Sequence, residues 1–346
     1  MKLDFQKLTD FIEGQTDPEP FSGVVYLAKD ETVLFEMEHG FAIKSESIPI
    51  KINTRFQMAS GCKVFTSVAI CQLVASGALR FDTPLRECVD VAFPHYSPDI
   101  TLHHLLTHSS GITSYFEEDI NPDYGALWQD LPVYRIKRPA DFLPMFQAKP
   151  TKFSPGDRFD YNDGGYILLG LVIENVAGMD YPSFIRERVF KPAGMIDSGY
   201  FATDMLPERT AYSYIRNPDD SLRTNFFAVP IIGAPDGGAY TTAPDMRRFW
   251  KALRSHKLIS ADMLRTMLQA QIVTDQKPPG GHYGYGVWLD QRKDATKKVF
   301  VLGYDPGVAF YSTVYPETDI VLTVIGNTSE ALWPLYKTIE AELGLQ

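Results

Sequence analysis

The segment from Phe56 to Leu79, FQMASGCKVFTSVAICQLVASGAL, is apolar or small at almost every position, and Lys63 is its only charge. Such a run is stable as a helix only when it is buried on all sides. The rest of the chain therefore has to wrap around it. Ser60 and Lys63 stand at its head in an S-x-x-K pattern. Residues three apart share a helix face, so the two side chains can touch. Burial strips a lysine of hydration and lowers its pKa, which predicts a neutral amine able to take the serine proton. A serine at a helix start also has backbone N–H groups and the positive dipole end beside any oxyanion formed there. Chance produces S-x-x-K roughly once in a few hundred residues at ordinary composition, and a lysine near a helix end commonly snorkels to water. The buried helix behind the motif is what gives it weight.

At 346 residues the chain can bury a large core in one or two domains. Its net charge of −10 argues against nucleic acid or an anionic membrane as partner. No apolar run is long enough to span a bilayer. The start, MKLDFQKLTDFIEG, lacks an apolar leader core and reads as an amphipathic helix using Phe5, Leu8, Phe11 and Ile12. A cytoplasmic location is the resulting expectation. Cys62, Cys71 and Cys88 form no C-x-x-C, so neither a disulfide framework nor a zinc site is expected. Cys62 reads as packing.

After a break at Pro18–Pro20, residues 23–28 and 33–35 read as strands joined by a turn at Asp30-Glu31. From the serine helix to about residue 220 the pattern is helical patches between long proline-rich loops. One helix begins within 100–106, and another covers 166–176 and ends at Gly178. The residues after Gly111 lack periodicity, and long irregular segments often carry binding function. The last third predicts helices at 245–253 and 260–271. Strands follow at 299–302, 308–315 and 320–325, with turns at 304–307 and 316–319. A closing helix uses Leu332, Leu335, Tyr336, Ile339 and Leu343. Short turns imply antiparallel neighbours. The expected class is α/β (α+β): one antiparallel sheet built from both termini and flanked by helices, plus an inserted mainly helical domain. In boundaries, 1–58 and 225–346 make the sheet domain and 59–224 the helical one, with the active site between.

Three stations then occur in order: Ser60-x-x-Lys63, Tyr161-Asn162-Asp163, and Val301-Leu302-Gly303 running into Tyr304-Asp305-Pro306-Gly307. Around them lie FSGVVYLAKD, ITLHHLLTHSSGI, FSPGDRFDYNDGGYILLGLVIENVAG, GGAYTTAPDM, YGYGVWL and GYDPGVAFYSTVYPE. Over nearly its whole length the chain resembles the serine β-lactamase and penicillin-binding-protein superfamily. Within it, the likeness is to the class C β-lactamase-like serine hydrolases and esterases. The resemblance implies the β-lactamase/transpeptidase-like fold, with Ser60 as acylated nucleophile and Lys63 as its basic neighbour. It makes Tyr161 the proton-transfer group, which suits a phenol beside cationic or polar groups. A core aromatic with a bonded hydroxyl is the commoner fate of tyrosine. The oxyanion hole would be the backbone N–H groups of Ser60 and Tyr304, and Asp163, Val301 and Gly303 would line the substrate.

Two positions depart from the family pattern. Its second motif usually ends in Asn where this chain has Asp163, which also reads as a helix N-cap. By the family's placement that carboxylate would touch Lys63 and push its pKa up against burial, or hold a lysine that stays charged while Tyr161 is the base. Its third motif usually opens with Lys or His where this chain has Val301. Lys297 and Lys298 share no clear strand register with that position. Loss of that cation favours neutral esters or amides over β-lactams and peptidoglycan ends. His104 and His108 have metal-compatible helix spacing but no third ligand. His108 belongs to a structural block of the resembled family, and His282 is a weak cleft candidate. No cofactor or metal is expected. The expected activity is hydrolysis of a small-molecule ester or amide through an acyl-enzyme, with esterase first, D-amino-acid peptidase or amidase second and β-lactamase third. The competing reading is a degenerate member that binds without turnover, supported by Val301 and Asp163 and opposed by the intact Ser60, Lys63 and Tyr161. Oligomeric state has no signature in the sequence.

Overall fold

A computed structural model describes residues 5–14, 21–117, 120, 123–129, 131–274, 281–292, 295–329 and 332–345. Its frame is an eight-stranded antiparallel sheet. The strands are β1 (Gly23–Lys29), β2 (Thr32–His39), β3 (Ile272–Val273), β4 (Gly281–Tyr283), β5 (Trp288–Arg292), β6 (Ala295–Asp305), β7 (Val308–Tyr315) and β8 (Ile320–Gly326). Their spatial order is β2-β1-β8-β7-β6-β5-β4-β3. The two ends of the chain meet where β1 pairs with β8, Gly23 opposite Gly326. The sheet is thus assembled from both termini, as expected. The Pro18–Pro20 break lies outside the described residues.

Alternation along the strands makes two cores. Val24, Tyr26, Val301, Phe310 and Ile325 face one of them. Val25, Leu27, Tyr311, Leu322 and Val324 face the other, where α1 (Phe5–Glu13) supplies Leu8 and Ile12. The second core is closed by the terminal helix (Leu332–Glu342), with Leu332, Leu335, Tyr336, Ile339 and Leu343 buried. Strand β7 is buried at every position because both faces are covered. On one side Trp250 Nε1 donates to Ser312 Oγ at 2.9 Å, and on the other Tyr311 stacks on Tyr336 with centroids 4.0 Å apart.

The serine segment enters as a short 3₁₀ turn, Ala59–Cys62, and continues as α2 (Lys63–Ala75). Every residue from Lys63 to Cys71 is buried, and Phe65 makes edge contacts with Phe190 and Phe249, each at 5.0 Å. The α-helix proper therefore starts three residues later than the sequence suggests. Helix α3 (Asp163–Ala177) packs against α2 and stops at Gly178 in the left-handed region. Among the described residues of the segment after Gly111, the helical pieces are short 3₁₀ turns. Strand β6 runs on through Asp305, two residues into the expected 304–307 turn, and Gly307 at φ 76° turns the chain back. Strands β3, β4 and β5 were not expected: β3 and β4 span two and three residues, and β5 carries the polar run Asp290-Gln291-Arg292.

Candidate active site

The turn carrying Ser60 is clamped between two segments. Strand β6 approaches so closely that a Cβ on Gly303 would lie 2.2 Å from Met58 O, 2.8 Å from Gly61 N and 2.9 Å from Ser60 N. Only glycine permits that approach, and it sets Tyr304 beside the nucleophile. On the other side Gly238 N donates to Ala59 O at 3.2 Å and Met58 N to Ala239 O at 2.9 Å. Ala59 itself is held at φ 43°, a backbone state costly for a residue with a Cβ.

Although Ser60 precedes the α-helix, the expected contact is made: Lys63 Nζ donates to Ser60 Oγ at 3.0 Å. It also donates to Asp163 Oδ1 and to the Asp236 carbonyl oxygen, both at 2.6 Å. An ammonium has three N–H donors, and here each has an acceptor. Of the two readings of Lys63, a neutral base and a cation held by Asp163, these contacts favour the second. Burial pushes the Lys63 pKa down, but Asp163, the Tyr161 phenol and Asp236 push further up, so it stands well above its ordinary value. The lysine is a fixed cation.

Tyr161 lies with Lys63 Nζ 5.0 Å from its ring centroid and within hydrogen-bonding reach of Ser60. Burial raises the pKa of its phenol more than Lys63 and those hydrogen bonds lower it. The ring packs 4.3 Å from that of His108 and stacks on Trp288 at 6.1 Å. His108 brackets it, since its carbonyl accepts from Asp160 N at 2.8 Å and its Nδ1 from Asn162 N at 3.0 Å. That ring is buried and held well below the usual imidazole pKa by burial and by Lys63. The capping reading of Asp163 is corrected: Asn162 is the N-cap, its side chain accepting from Gly165 N at 2.8 Å. This leaves the Asp163 carboxylate free to hold Lys63.

These groups open on a cleft of about 980 Å³, lined among others by Ser60, Tyr161, Asp163, Asp236, Tyr304 and Asp305. Val301 does not line it. With 2% exposure it points into the core on the α2 face of the sheet, and alternation presents Leu302 and Tyr304 to the cleft instead. Gly303 touches the nucleophile turn rather than the cleft. His282 also lies outside the lining. Lys298 is spent on Glu340 at 2.8 Å. His104 uses its Nδ1 on Thr101, capping its own short helix.

Sequence reasoning missed Asp236, Tyr115 and Asp305 as cleft residues. Tyr115 donates its hydroxyl to Asp236 Oδ2. Loss of hydration, followed by Asp163 and Asp236, pushes the Asp305 carboxyl up to about 8. The Pro-Asp-Gly-Gly at 235–238 is legible as a turn, but nothing local says that this turn abuts Ser60.

The sequence profile of the family described as Beta-lactamase matches residues 11–342. Penicillin-binding protein 4* of Bacillus subtilis (strain 168) is 27% identical over 321 residues, covering 89% of this chain and 67% of that protein. Esterase EstB of Burkholderia gladioli is 27% identical, covering 76% of this chain and 74% of its own. The crystal structure of a penicillin binding protein from Bacillus halodurans superposes with a TM-score of 0.90 at 44% identity, covering 97% of this chain and 99% of that one. D-amino acid amidase from Ochrobactrum anthropi SV3 shares the fold at a TM-score of 0.81, 20% identity and coverage of 99% and 98%. The chain belongs to the Beta-lactamase family and, with it, to the serine hydrolases.

Proposed function

We propose that the chain hydrolyses a small neutral ester or amide through an acyl-enzyme on Ser60, with ester cleavage its preferred reaction. The observation that carries this reading is Ser60 Oγ, 3.0 Å from a fully engaged lysine, on a residue that lines a substrate-sized cleft. The cleft would lie between a sheet domain, 1–58 with 225–346, and a helical domain, 59–224.

Since Lys63 is charged and the Tyr161 phenol is not acidic, neither rests as a free base. Tyr161 instead relays: as Ser60 Oγ attacks the acyl carbon, its proton passes to Tyr161 Oη. The phenol's own proton passes to the leaving oxygen or nitrogen as that bond breaks. The Lys63 ammonium stabilises the negative charge that develops on the two oxygens during transfer. Backbone N–H groups of Ser60 and Tyr304 receive the oxyanion.

A panel of p-nitrophenyl esters, nitrocefin and D-alanyl anilides tests the reading. Turnover that Ser60→Ala abolishes supports it, with short esters ahead. Turnover unaffected by Ser60→Ala overturns it. The amide reading comes second, favoured by the fold shared with a D-amino acid amidase; D-alanyl anilides outrunning every ester would put it first.

A further inference from the structure

The turn at 234–238 is tied to the nucleophile segment at several points. Lys63 Nζ donates to Asp236 O and Thr66 Oγ1 to Pro235 O, both at 2.6 Å. Gly238 N donates to Ala59 O at 3.2 Å. A Cβ on Gly237 would stand 3.9 Å from Ser60 N, so the turn runs alongside the reacting serine. The acylation chemistry above uses only the Asp236 carbonyl. The residue nonetheless belongs to the cleft lining at 4% exposure, and its Oδ2 accepts from the hydroxyl of Tyr115, another lining residue. Burying a carboxylate is costly, and this one belongs to a residue in the lining of the same cleft as Ser60.

We propose that the Asp236 carboxylate is the general base of deacylation, taking a proton from the water that attacks the Ser60 acyl-enzyme. The proposal rests on the acyl-enzyme reading above. One water proton passes to Asp236 while the water oxygen bonds to the acyl carbon, and the carbonyl electron pair moves onto the oxyanion. On collapse the carbon–Oγ bond breaks and Ser60 Oγ takes the Tyr161 proton. Tyr161 is reprotonated from Asp236 through solvent, and the acid leaves.

The charged and titratable groups around Asp236 are Lys63 on α2, Cys62 in the turn before it, Asp163 at the start of α3, Tyr181, Asp305 at the end of β6, and Tyr115 and Tyr124 from the irregular segment. Burial pushes its carboxyl up, Lys63 pulls it down and Asp163 pushes it up again, leaving it at about 6. A base with that value is mostly ionised at neutral pH and still accepts a proton well.

The test is Asp236→Asn with p-nitrophenyl acetate, since the amide oxygen can still accept from Tyr115. The expected result is a first equivalent of nitrophenol released near the wild-type rate. Steady-state turnover then slows by about 100-fold or more, and an acetyl adduct on Ser60 accumulates in intact mass spectra. Hydroxylamine, which attacks without first losing a proton, should restore turnover. Wild-type deacylation should rise with pH through about 6, and the variant's should lose that dependence. Tyr115→Phe, which keeps the carboxylate, should slow deacylation several-fold and leave the first equivalent unchanged. Loss of the first equivalent and of turnover together in both variants would place the turn in acylation and overturn the proposal. Unchanged turnover in Asp236→Asn would also overturn it. Failure of wild-type Ser60 to take a fluorophosphonate is different: it removes the acyl-enzyme reading itself.

Discussion

Lys63 Nζ stands 2.6 Å from Asp163 Oδ1, a contact made across 100 residues of chain. It joins the first turn of α2 to the first turn of α3 and decides the charge of the lysine. Lys63 is 2% exposed and Asp163 16%, so solvent screens the pair little. The S-x-x-K motif viewed alone suggests an amine base. With Asp163 and two further acceptors around it, the same residue is a stationary cation.

Ser60 should be the only residue that a fluorophosphonate modifies. Intact mass should show one adduct, located by fragmentation on the peptide containing Ser60. Labelling that persists in Ser60→Ala removes the catalytic assignment. Lys63→Ala should slow labelling by about 100-fold or more, through loss of the cation at the developing charge.

Gly303→Ala should damage the site from outside the cleft. The new methyl meets backbone atoms of Met58, Ser60 and Gly61 at 2.2–2.9 Å, and backbone cannot yield as a side-chain tip can. Overpacking of this kind costs about 1–3 kcal/mol, and the strand bearing Tyr304 has to retreat from Ser60. A lower melting temperature with kcat/KM reduced by about 100-fold is expected. Unchanged kinetics would mean that this approach does not position the oxyanion donors.

The parts of the fold legible in sequence are those where a local pattern carries a global consequence. The all-apolar α2 had to be buried, and the alternation in β1, β7 and β8 placed the sheet at both ends of the chain. Ser60, Lys63 and Tyr161 do converge. What escaped is set by distant contacts. Burial lowers a lysine pKa and the Asp163 contact, which the family's placement implies, raises it; what the sequence does not show is Asp236, whose carbonyl and charge only tertiary structure brings to Lys63. Val301 was assigned to the substrate because of its place in a motif, while strand alternation turns it into the core. The edge strands β3 to β5 are short, and pairing rather than composition makes them strands.

Short neutral acyl esters should outperform β-lactams. Val301 is buried where the family pattern has a cation, and Lys298 is paired with Glu340. A missing charge-assisted contact to a substrate carboxylate forgoes about 1.5–3 kcal/mol, or roughly ten-fold to a hundred-fold in rate. Comparison of kcat/KM for p-nitrophenyl butyrate and nitrocefin checks this. Should nitrocefin prove the better substrate, Arg216 and Arg223, which line the cleft, become the candidates for carboxylate recognition.

Asp163→Asn separates the two roles open to Lys63. Asp163 is the strongest of the groups that push the Lys63 pKa up, and an amide there would keep a hydrogen bond without the charge, so that pKa should fall. If the working form is the ammonium, activity is present below the Lys63 pKa and lost as pH rises through it. The alkaline limb of kcat/KM should then move to lower pH in the variant, with the acid limb unmoved. If the working form were the neutral amine, activity would appear above that pKa, and the acid limb would move down instead. Stability follows the same sign. A raised folded-state pKa contributes stability below the unfolded lysine value that fades as pH climbs through the folded one. Removing one partner of a largely buried pair costs on the order of 3 kcal/mol, so the variant should also melt lower at neutral pH. Stopped-flow kcat/KM for a neutral ester, followed from about pH 5 to about pH 12 so that the scan passes the ordinary lysine value that Lys63 exceeds, reads the acid limb and the fall of the alkaline limb in the variant. An acid limb that moves ends the fixed-cation mechanism. A profile that does not move at either end removes Asp163 as the keeper of the Lys63 charge.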